Sequence, residues 1–388
     1  MTLFIIDVMF TAWRAGKYEV LVSPVTGWIY SPLCYIPLDV LAQGNWKLLQ
    51  ELHNPELKEL ASKLPSTILR SCADNTVIKY LHEFRRWKTW ASSYKLQPLP
   101  AKSHQFVLYL QHLAEESKSR AAIEEAGNAV SCIHSSAGLT SPMTDPFVRA
   151  TLEGLQRTLA KPVVKKEPIS VEILGAIVQD AETSGSLSDL RLATSCLLSF
   201  SGFLHFSELI NLRPCDFTIL QEMMKIRIVS SKTDQFRQGN ELLVGRTNTL
   251  TCPVTMLERY LCRTGITFDD ERFIFWPIQK TKIGEKLRES GRISYSCLSG
   301  LLRKKLEELG FPVEEFGLHS LRAASASAAA NSKVPDRLFE RHGRWKSENA
   351  KDGYIKDDVE SRLEVSRPLG LYYLYNNTFL CFPYGVIK

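Results

Sequence analysis

The 388-residue chain lacks the features that mark several large classes of protein. No stretch reaches the roughly 18 consecutive apolar residues of a transmembrane helix, so no membrane partner is predicted. The apolar start, Met1–Phe10, carries Asp7 and has no basic segment before it, which argues against a signal peptide. The sequence alone therefore predicts a nuclear or otherwise intracellular protein.

Paired or clustered cysteines are also missing. Nine cysteines are present, but they are scattered, and none belongs to a Cys-x-x-Cys motif or to a Cys/His cluster. No zinc site is expected, and the thiols are typical of small buried side chains in a reducing compartment. The net charge of +6 is a mild excess, which permits a polyanionic partner without requiring one.

The two ends of the chain lack a sustained hydrophobic period. Residues 1–65 are left unassigned, as either a poorly packed extension or sequence foreign to the domain that follows. Residues 368–388 are left unassigned for the same reason.

Between these ends, a compact all-α domain is predicted over residues 66–160. Its first helix begins near Asp74, a residue type that caps helices, and continues with apolar side chains at three-residue steps along one face. Three more helices are predicted at residues 103–117, at residues 120–137 and after the Asp145-Pro146 pair, which is a typical helix start.

The other face of the first helix is basic and carries Lys79, Arg85, Arg86 and Lys88. Two interpretations stay open. These side chains form either an ordinary solvated face or a surface that contacts the phosphates of a nucleic acid.

Residues 161–168 are predicted to be a linker. Two prolines and three lysines in this short stretch oppose a helix and favour extended, solvated chain. The segment is either an ordinary hinge or one whose Lys165 and Lys166 contact phosphate or serve as a weak nuclear address.

A second domain, with both helices and strands, is predicted over residues 169–367. Residues 224–230 and 240–245 alternate between apolar and polar side chains and predict an antiparallel hairpin. A short buried or edge strand is predicted at 272–276, and an amphipathic helix at 295–309. The fold class is thus mainly α with a small antiparallel sheet, in two domains.

The most informative stretch begins at His319-Ser-Leu-Arg322, whose two basic residues share one helical face. Trp345 follows, and Tyr354 comes nine residues later. Taken singly, each residue has a plain structural explanation, such as a core histidine or an arginine paired with an acid. Together they suit a phosphate that cationic groups hold and a phenol attacks. The acidic ligands of a metal nuclease are missing, so neither a metal nor a cofactor is expected.

This order of residues resembles the C-terminal signature of the tyrosine recombinases, the phage integrase family. The resemblance covers about residues 70–366, and the motif Gly-Arg-Trp-Lys-Ser is most similar to recombinases of eukaryotic mobile elements. It implies an all-α core-binding domain followed by an α+β catalytic domain. It also implies double-stranded DNA as the partner, and a homotetramer on DNA if the protein is active.

The same resemblance implies a role for each residue. Tyr354 would attack a DNA phosphodiester and form a 3′-phosphotyrosine link, while Arg322 and Lys232 would neutralise the charge that develops on the phosphate. His319 would act as a donor or general base, and Trp345 would donate its indole N–H. Lys232 stands in the turn of the predicted hairpin, where the family has its catalytic lysine.

One position departs from the family pattern. Aligning on Ser207-Glu208-Leu209 places His205 where the first catalytic arginine belongs. A histidine offers one donor in place of a charged fork, and by analogy with other lost oxyanion donors the change should cost about 3 kcal/mol, roughly a hundred- to thousand-fold in rate.

Three functions therefore stay open from the sequence. The first is an active or weakened DNA strand-exchange enzyme, which the retained tyrosine, arginine, histidine and lysine favour. The second is a DNA-binding remnant of a mobile element that has lost its chemistry, which His205 favours. A helical scaffold without a nucleic acid partner is the third.

Overall fold

The computed structural model describes residues 21–22, 29–30, 38–162, 164–229, 239–282, 284–288 and 291–369. The chain divides into two compact units, Met1–Val163 and Val164–Lys388. The described residues are mostly helical with small antiparallel sheets, which confirms the predicted fold class.

The first unit is helical apart from a short antiparallel pair, β1 (Leu21–Val22) with β2 (Ile29–Tyr30). Its helices α1 to α7 are, in order, Leu38–Leu41, Gly44–Gln50, Pro55–Leu69, Asp74–Ser93, Ser103–Ser117, Arg120–Ala137 and Pro146–Thr158.

Local capping explains where these helices begin. The Asp145 side chain accepts from the Phe147 backbone N–H at 2.8 Å, and Pro146 occupies the first helical turn of α7, as predicted. The first residue of α4 is Asp74, but Ala73 is its N-cap, and no side chain caps it. The predicted cap was therefore one residue late.

The core of the first unit reaches into the segment that we left unassigned. Trp87 and Phe106 are fully buried at its centre. Val40 and Trp46 join the same core, and the Trp46 indole donates to the Ser136 carbonyl at 2.8 Å. Helices α1 to α3 therefore begin well before residue 66, and the predicted extension supplies part of a core that burial stabilises.

The second unit contains helices and two small sheets. Its helices α8 to α16 are Val171–Ser184, Leu187–Ser201, Phe206–Leu209, Pro253–Thr264, Tyr295–Glu308, Leu318–Asn331, Asp336–Gly343, Glu348–Asp352 and Val359–Ser366. Its strands β3 to β7 are Phe217–Ile219, Met223–Ile228, Asn240–Gly245, Ile278–Thr281 and Gly284–Leu287.

The predicted hairpin is the pair β4 and β5, antiparallel with Met223 opposite Gly245 and Ile228 opposite Asn240. The strand predicted at residues 272–276 is wrong. Ile274 and Phe275 are fully buried, but each makes a backbone hydrogen bond to a different partner, Leu212 and Ile293, and so neither continues a ladder.

Helix α9 is the centre of the second core. Leu192, Ala193 and Leu198 are almost completely buried there, and α8, α11 and α13 pack around α9. Helix α13 is rich in Ala and Ser, and its Ala326 is fully buried. Small side chains let neighbouring segments approach the backbone of α13 closely. The site described next is built around this helix. No helix in the described ranges is long and apolar enough to cross a bilayer.

Candidate active site

Helix α13 brings the two basic residues of the motif to one face of the second unit. His319 and Arg322 lie in its first turns, one turn apart, as predicted. Arg322 is 3% exposed. Burying a guanidinium demands hydrogen bonds and charge compensation, so its surroundings decide what it can do.

Two carbonyls hold the guanidinium of Arg322. Its Nη1 donates to the Phe203 carbonyl, and its Nη2 donates to the Gly343 carbonyl at 2.5 Å. Its Nε is buried and has no hydrogen-bond partner in the described part of the chain. One donor of a buried cation thus remains available to a ligand.

Two aromatic rings lie against the same guanidinium. The Arg322 Cζ is 4.7 Å from the ring centre of Trp345 and 5.1 Å from that of Tyr354. The two rings are 5.8 Å apart. This arrangement joins the three predicted residues in one cation–π cluster.

Trp345 follows Arg344, the C-cap of helix α14, and its ring lies against Gly343, the last residue of that helix. A Cβ at Gly343 would lie 1.9 Å from the Trp345 ring, so only glycine fits there. The indole Nε1 is buried and, like Arg322 Nε, has no partner among the described residues. Two unpartnered donors therefore lie beside the Tyr354 ring.

Tyr354 is held by the backbone around it. Ser327 on α13 accepts from the Lys356 N–H at 2.8 Å and donates to the Tyr354 carbonyl at 3.5 Å. Upstream, the buried Lys351 forms an ion pair with Asp336 at 3.3 Å, which ties α15 to α14. The tyrosine is thus fixed on both sides while its ring is half-buried.

His205 also lies at this cluster. It is the N-cap of α10, where its backbone N–H donates to Glu208 at 2.8 Å. Its ring centre is 6.1 Å from the rings of both His319 and Tyr354. Burial, and next the charge of Arg322, lower the pKa of His205 to about 4. The ring is therefore neutral at pH 7 and adds no charge to the site.

Arg322 remains the charged donor in contact with both aromatic rings. Burial, followed by repulsion from Arg344, lowers its pKa to about 10. At neutral pH the guanidinium is still protonated.

The sequence analysis missed one pair of residues at this site. Arg344 and Glu208 are both buried and form an ion pair at 2.7 Å, with a second contact at 3.3 Å. Both stood inside motifs that we used, yet no local pattern links residues 136 positions apart. The sequence signal was only that the two motifs contain residues of opposite charge.

The remaining predicted residues are the hairpin lysine and the basic residues of α4 and the linker. Lys232 lies outside the described residues. On α4, Lys79 pairs with Glu125 at 2.5 Å and Arg86 pairs with Glu83 at 3.0 Å, and the same helix carries Arg85 and Lys88.

In the linker, Lys165 and Lys166 are exposed, and Lys166 donates to the Glu314 carbonyl. DNA contact by these two lysines and by the basic residues of α4 stays a prediction. Within the described ranges, no group of three His, Cys, Asp or Glu side chains is placed to hold a metal ion.

Comparison with known proteins gives an independent view of the same chain. No family model matches it. An integrase/recombinase xerD homolog of Selenomonas ruminantium is 26% identical over 318 residues, covering 81% of this chain and 91% of the relative.

Solved structures are similar as well. The XerH site-specific recombinase, bound to a palindromic difH substrate in a post-cleavage complex, matches with a TM-score of 0.56 and 12% identity. The match covers 83% of this chain and 86% of XerH. A lambda integrase tetramer bound to a Holliday junction has a TM-score of 0.47 and 17% identity, over 89% of this chain and 94% of the integrase.

The XerH match shows the fold, and the Selenomonas relative extends the similarity to the sequence over most of both chains. The chain therefore has the two-domain fold of the XerH recombinase, and its sequence is similar to that of an integrase/recombinase.

Proposed function

We propose that this protein cleaves and rejoins strands of double-stranded DNA through a 3′-phosphotyrosine link at Tyr354, at a rate that His205 lowers. The observation that carries the proposal is the cluster of Arg322, Trp345 and Tyr354. In it, two buried N–H donors without a partner in the described chain lie beside a tyrosine ring. A phosphate oxygen is the acceptor that such a pair of donors suits.

The chemistry follows from these groups. The Tyr354 hydroxyl oxygen attacks the phosphorus, the bond to the 5′ oxygen breaks, and that oxygen takes up a proton. Arg322 and the Trp345 N–H stabilise the extra negative charge while phosphorus is five-coordinate. We assign the proton that reaches the 5′ oxygen to Lys232, and the proton leaving Tyr354 to His319 as general base. Attack by a 5′ hydroxyl reverses the step without a metal or another cofactor.

Recombination between two duplexes needs more than one active site, so a homotetramer on DNA belongs to the same proposal. The XerH structure, which contains its difH substrate, supports a DNA partner. A eukaryotic mobile element as the source, and the nucleus as the location, are further parts of the proposal. They rest on the Gly-Arg-Trp-Lys-Ser motif and on the basic linker.

A specific observation favours a second candidate, a DNA-binding protein without chemistry. With the pKa of His205 lowered to about 4, the position that holds an arginine in the family carries no charge at pH 7. Loss of one oxyanion donor lowers rates by about a hundred- to thousand-fold, which is enough to silence a slow enzyme.

The deciding experiment uses a nicked duplex that traps the covalent intermediate, built from the DNA that flanks the gene. Adduct is read on a denaturing gel for the unmodified protein, Tyr354→Phe and His205→Arg. We expect adduct from the unmodified protein, none from Tyr354→Phe, and about a hundred-fold faster adduct from His205→Arg.

His53→Arg is the matched control, because it places an arginine at an exposed histidine of the first unit that lies outside the basic face of α4. It should not change the rate. Salt-sensitive duplex binding without adduct from any variant would contradict the enzyme and leave the DNA-binding remnant.

A further inference from the structure

Arg344 occupies a position where an arginine is unexpected. It ends helix α14 with a φ of 58°, in the left-handed region that favours glycine. Its side chain is nevertheless only 3% exposed. A long charged side chain that is buried from such a backbone position persists only where its surroundings hold it firmly.

Every donor of Arg344 has an acceptor. Its Nε and Nη2 donate to the two oxygens of Glu208 at 3.3 and 2.7 Å. Its Nη1 donates to the carbonyls of Gly202 at 3.1 Å and His342 at 2.8 Å, and Nη2 also donates to the Phe203 carbonyl at 2.9 Å. A guanidinium has five N–H groups, and all five are used here. Arg344 thus has no donor left for a phosphate.

These contacts connect the two halves of the site. Glu208 also accepts from the His205 backbone N–H, and the Phe203 carbonyl also accepts from Arg322. Arg344 therefore ties the turn that carries His205 to the segment that carries Trp345. It also holds in place the carbonyl that orients Arg322, whose Nε is thereby left free of partners in the described chain.

Arg344 leaves the net charge of the site unchanged. Arg322 and Arg344 donate to the same carbonyl oxygen, and Glu208 forms the ion pair that compensates Arg344. Since His205 is neutral at pH 7, these groups carry one net positive charge, that of Arg322. Arg344 therefore acts on the site through the position of its neighbours.

We propose that Arg344 is a positioning residue, which holds Arg322 for an oxyanion by fixing the Phe203 carbonyl and the turn that carries His205. The inference rests on the proposed function, since the oxyanion in question is the phosphate attacked by Tyr354.

The test separates positioning from stability with two variants. Arg344→Gly suits the left-handed backbone but leaves Glu208 buried without its partner, so the variant should unfold at a lower urea concentration. Arg344→Gly/Glu208→Gln removes both charges and keeps an acceptor for the His205 N–H, so most of the stability should return. An effect of stability alone would disappear in the double variant.

Sodium tungstate, an inert tetrahedral oxyanion, is the probe. Its binding is followed in the full-length protein by the ¹⁵N–¹H resonance of the Trp345 indole, which is identified by its loss in Trp345→Phe. We expect the double variant to bind tungstate about tenfold more weakly, which corresponds to about 1.4 kcal/mol. Equal affinity in the double variant and the unmodified protein would overturn the inference, as would no response of the resonance in the unmodified protein.

Adduct formation is measured on the same variants and is expected to fall at least tenfold in the double variant. Recovery of the adduct rate together with stability would overturn the positioning role. If no protein forms adduct but tungstate binding still depends on Arg344, the proposed strand cleavage fails while the inference stands. The two failures are thus distinguishable.

Discussion

The guanidinium of Arg322 lies between two carbonyls and against two aromatic rings, which leaves few directions from which a ligand can reach it. At the scale of single residues, function therefore depends on the position of Trp345. That ring lies against Gly343, where a Cβ would lie 1.9 Å from it. Well-packed interiors do not absorb an added carbon at that distance without a shift of the ring.

We predict that Gly343→Ala displaces the Trp345 ring from Arg322. The variant should lose about 1–3 kcal/mol of unfolding free energy, measured by urea denaturation, and should also lose adduct formation. Its matched control is Gly300→Ala in α12, where a Cβ meets nothing within 4 Å. There, alanine should stabilise the helix by about 0.5–1 kcal/mol. Retained adduct in Gly343→Ala would contradict the role given to the ring.

At the scale of elements, the second unit has a buried ionic joint between three helices. Lys305 on α12 is 8% exposed, and its Nζ is 2.5 Å from Asp180 on α8 and 3.0 Å from Asp189 on α9. Burial alone would lower the pKa of Lys305, but hydrogen bonds to carboxylates outweigh it and raise the pKa. Removing one partner of such a joint leaves the others uncompensated.

Lys305→Met should therefore destabilise the protein by roughly 2–3 kcal/mol in urea denaturation at pH 7. Lys304→Met is the neighbouring control. Lys304 is 74% exposed and pairs with Glu308 at the surface, so its loss should change stability by less than about 0.5 kcal/mol. Equal effects of the two substitutions would show that the ion pairs of Lys305 between the helices add nothing to the free energy of unfolding.

At the scale of the whole molecule, each of the two units has a large hydrophobic core of its own among the described residues. One lies in the first unit and includes Trp87, and the other lies in the second unit and includes Leu198. Between them, Lys161 and Lys165 are exposed, with two prolines nearby in the sequence. Units that each bury their own core are expected to unfold independently.

Limited trypsin digestion should therefore cut first within residues 161–166 and yield two resistant fragments. Each fragment should show its own cooperative thermal transition by circular dichroism. Replacing Lys161, Lys165 and Lys166 by glutamine should slow this cut without changing either transition. First cuts inside α5 or α9, or a single shared transition, would argue against two independent units.

Much of the fold was predictable, because its signals are local. Helices α5 and α6 have the predicted bounds, and the Ser119 side chain caps the start of α6. The hairpin of β4 and β5 follows from alternation. The strand at 272–276 was mispredicted because that prediction also relied on a local signal alone. Its run of apolar residues indicates that the segment is buried, but a buried segment can be either a strand or a loop.

The sequence by itself determined the order of His319, Arg322, Trp345 and Tyr354 and the helix that bears the first two, because these depend on spacing along one segment. Only the tertiary structure decided that Arg322 Nε has no partner among the described residues, that His205 is neutral at pH 7, and that Arg344 pairs with Glu208. The physical reason is that burial and electrostatic coupling arise between segments far apart in the chain. The charge of a buried group is set by neighbours that packing, and not spacing, brings to it.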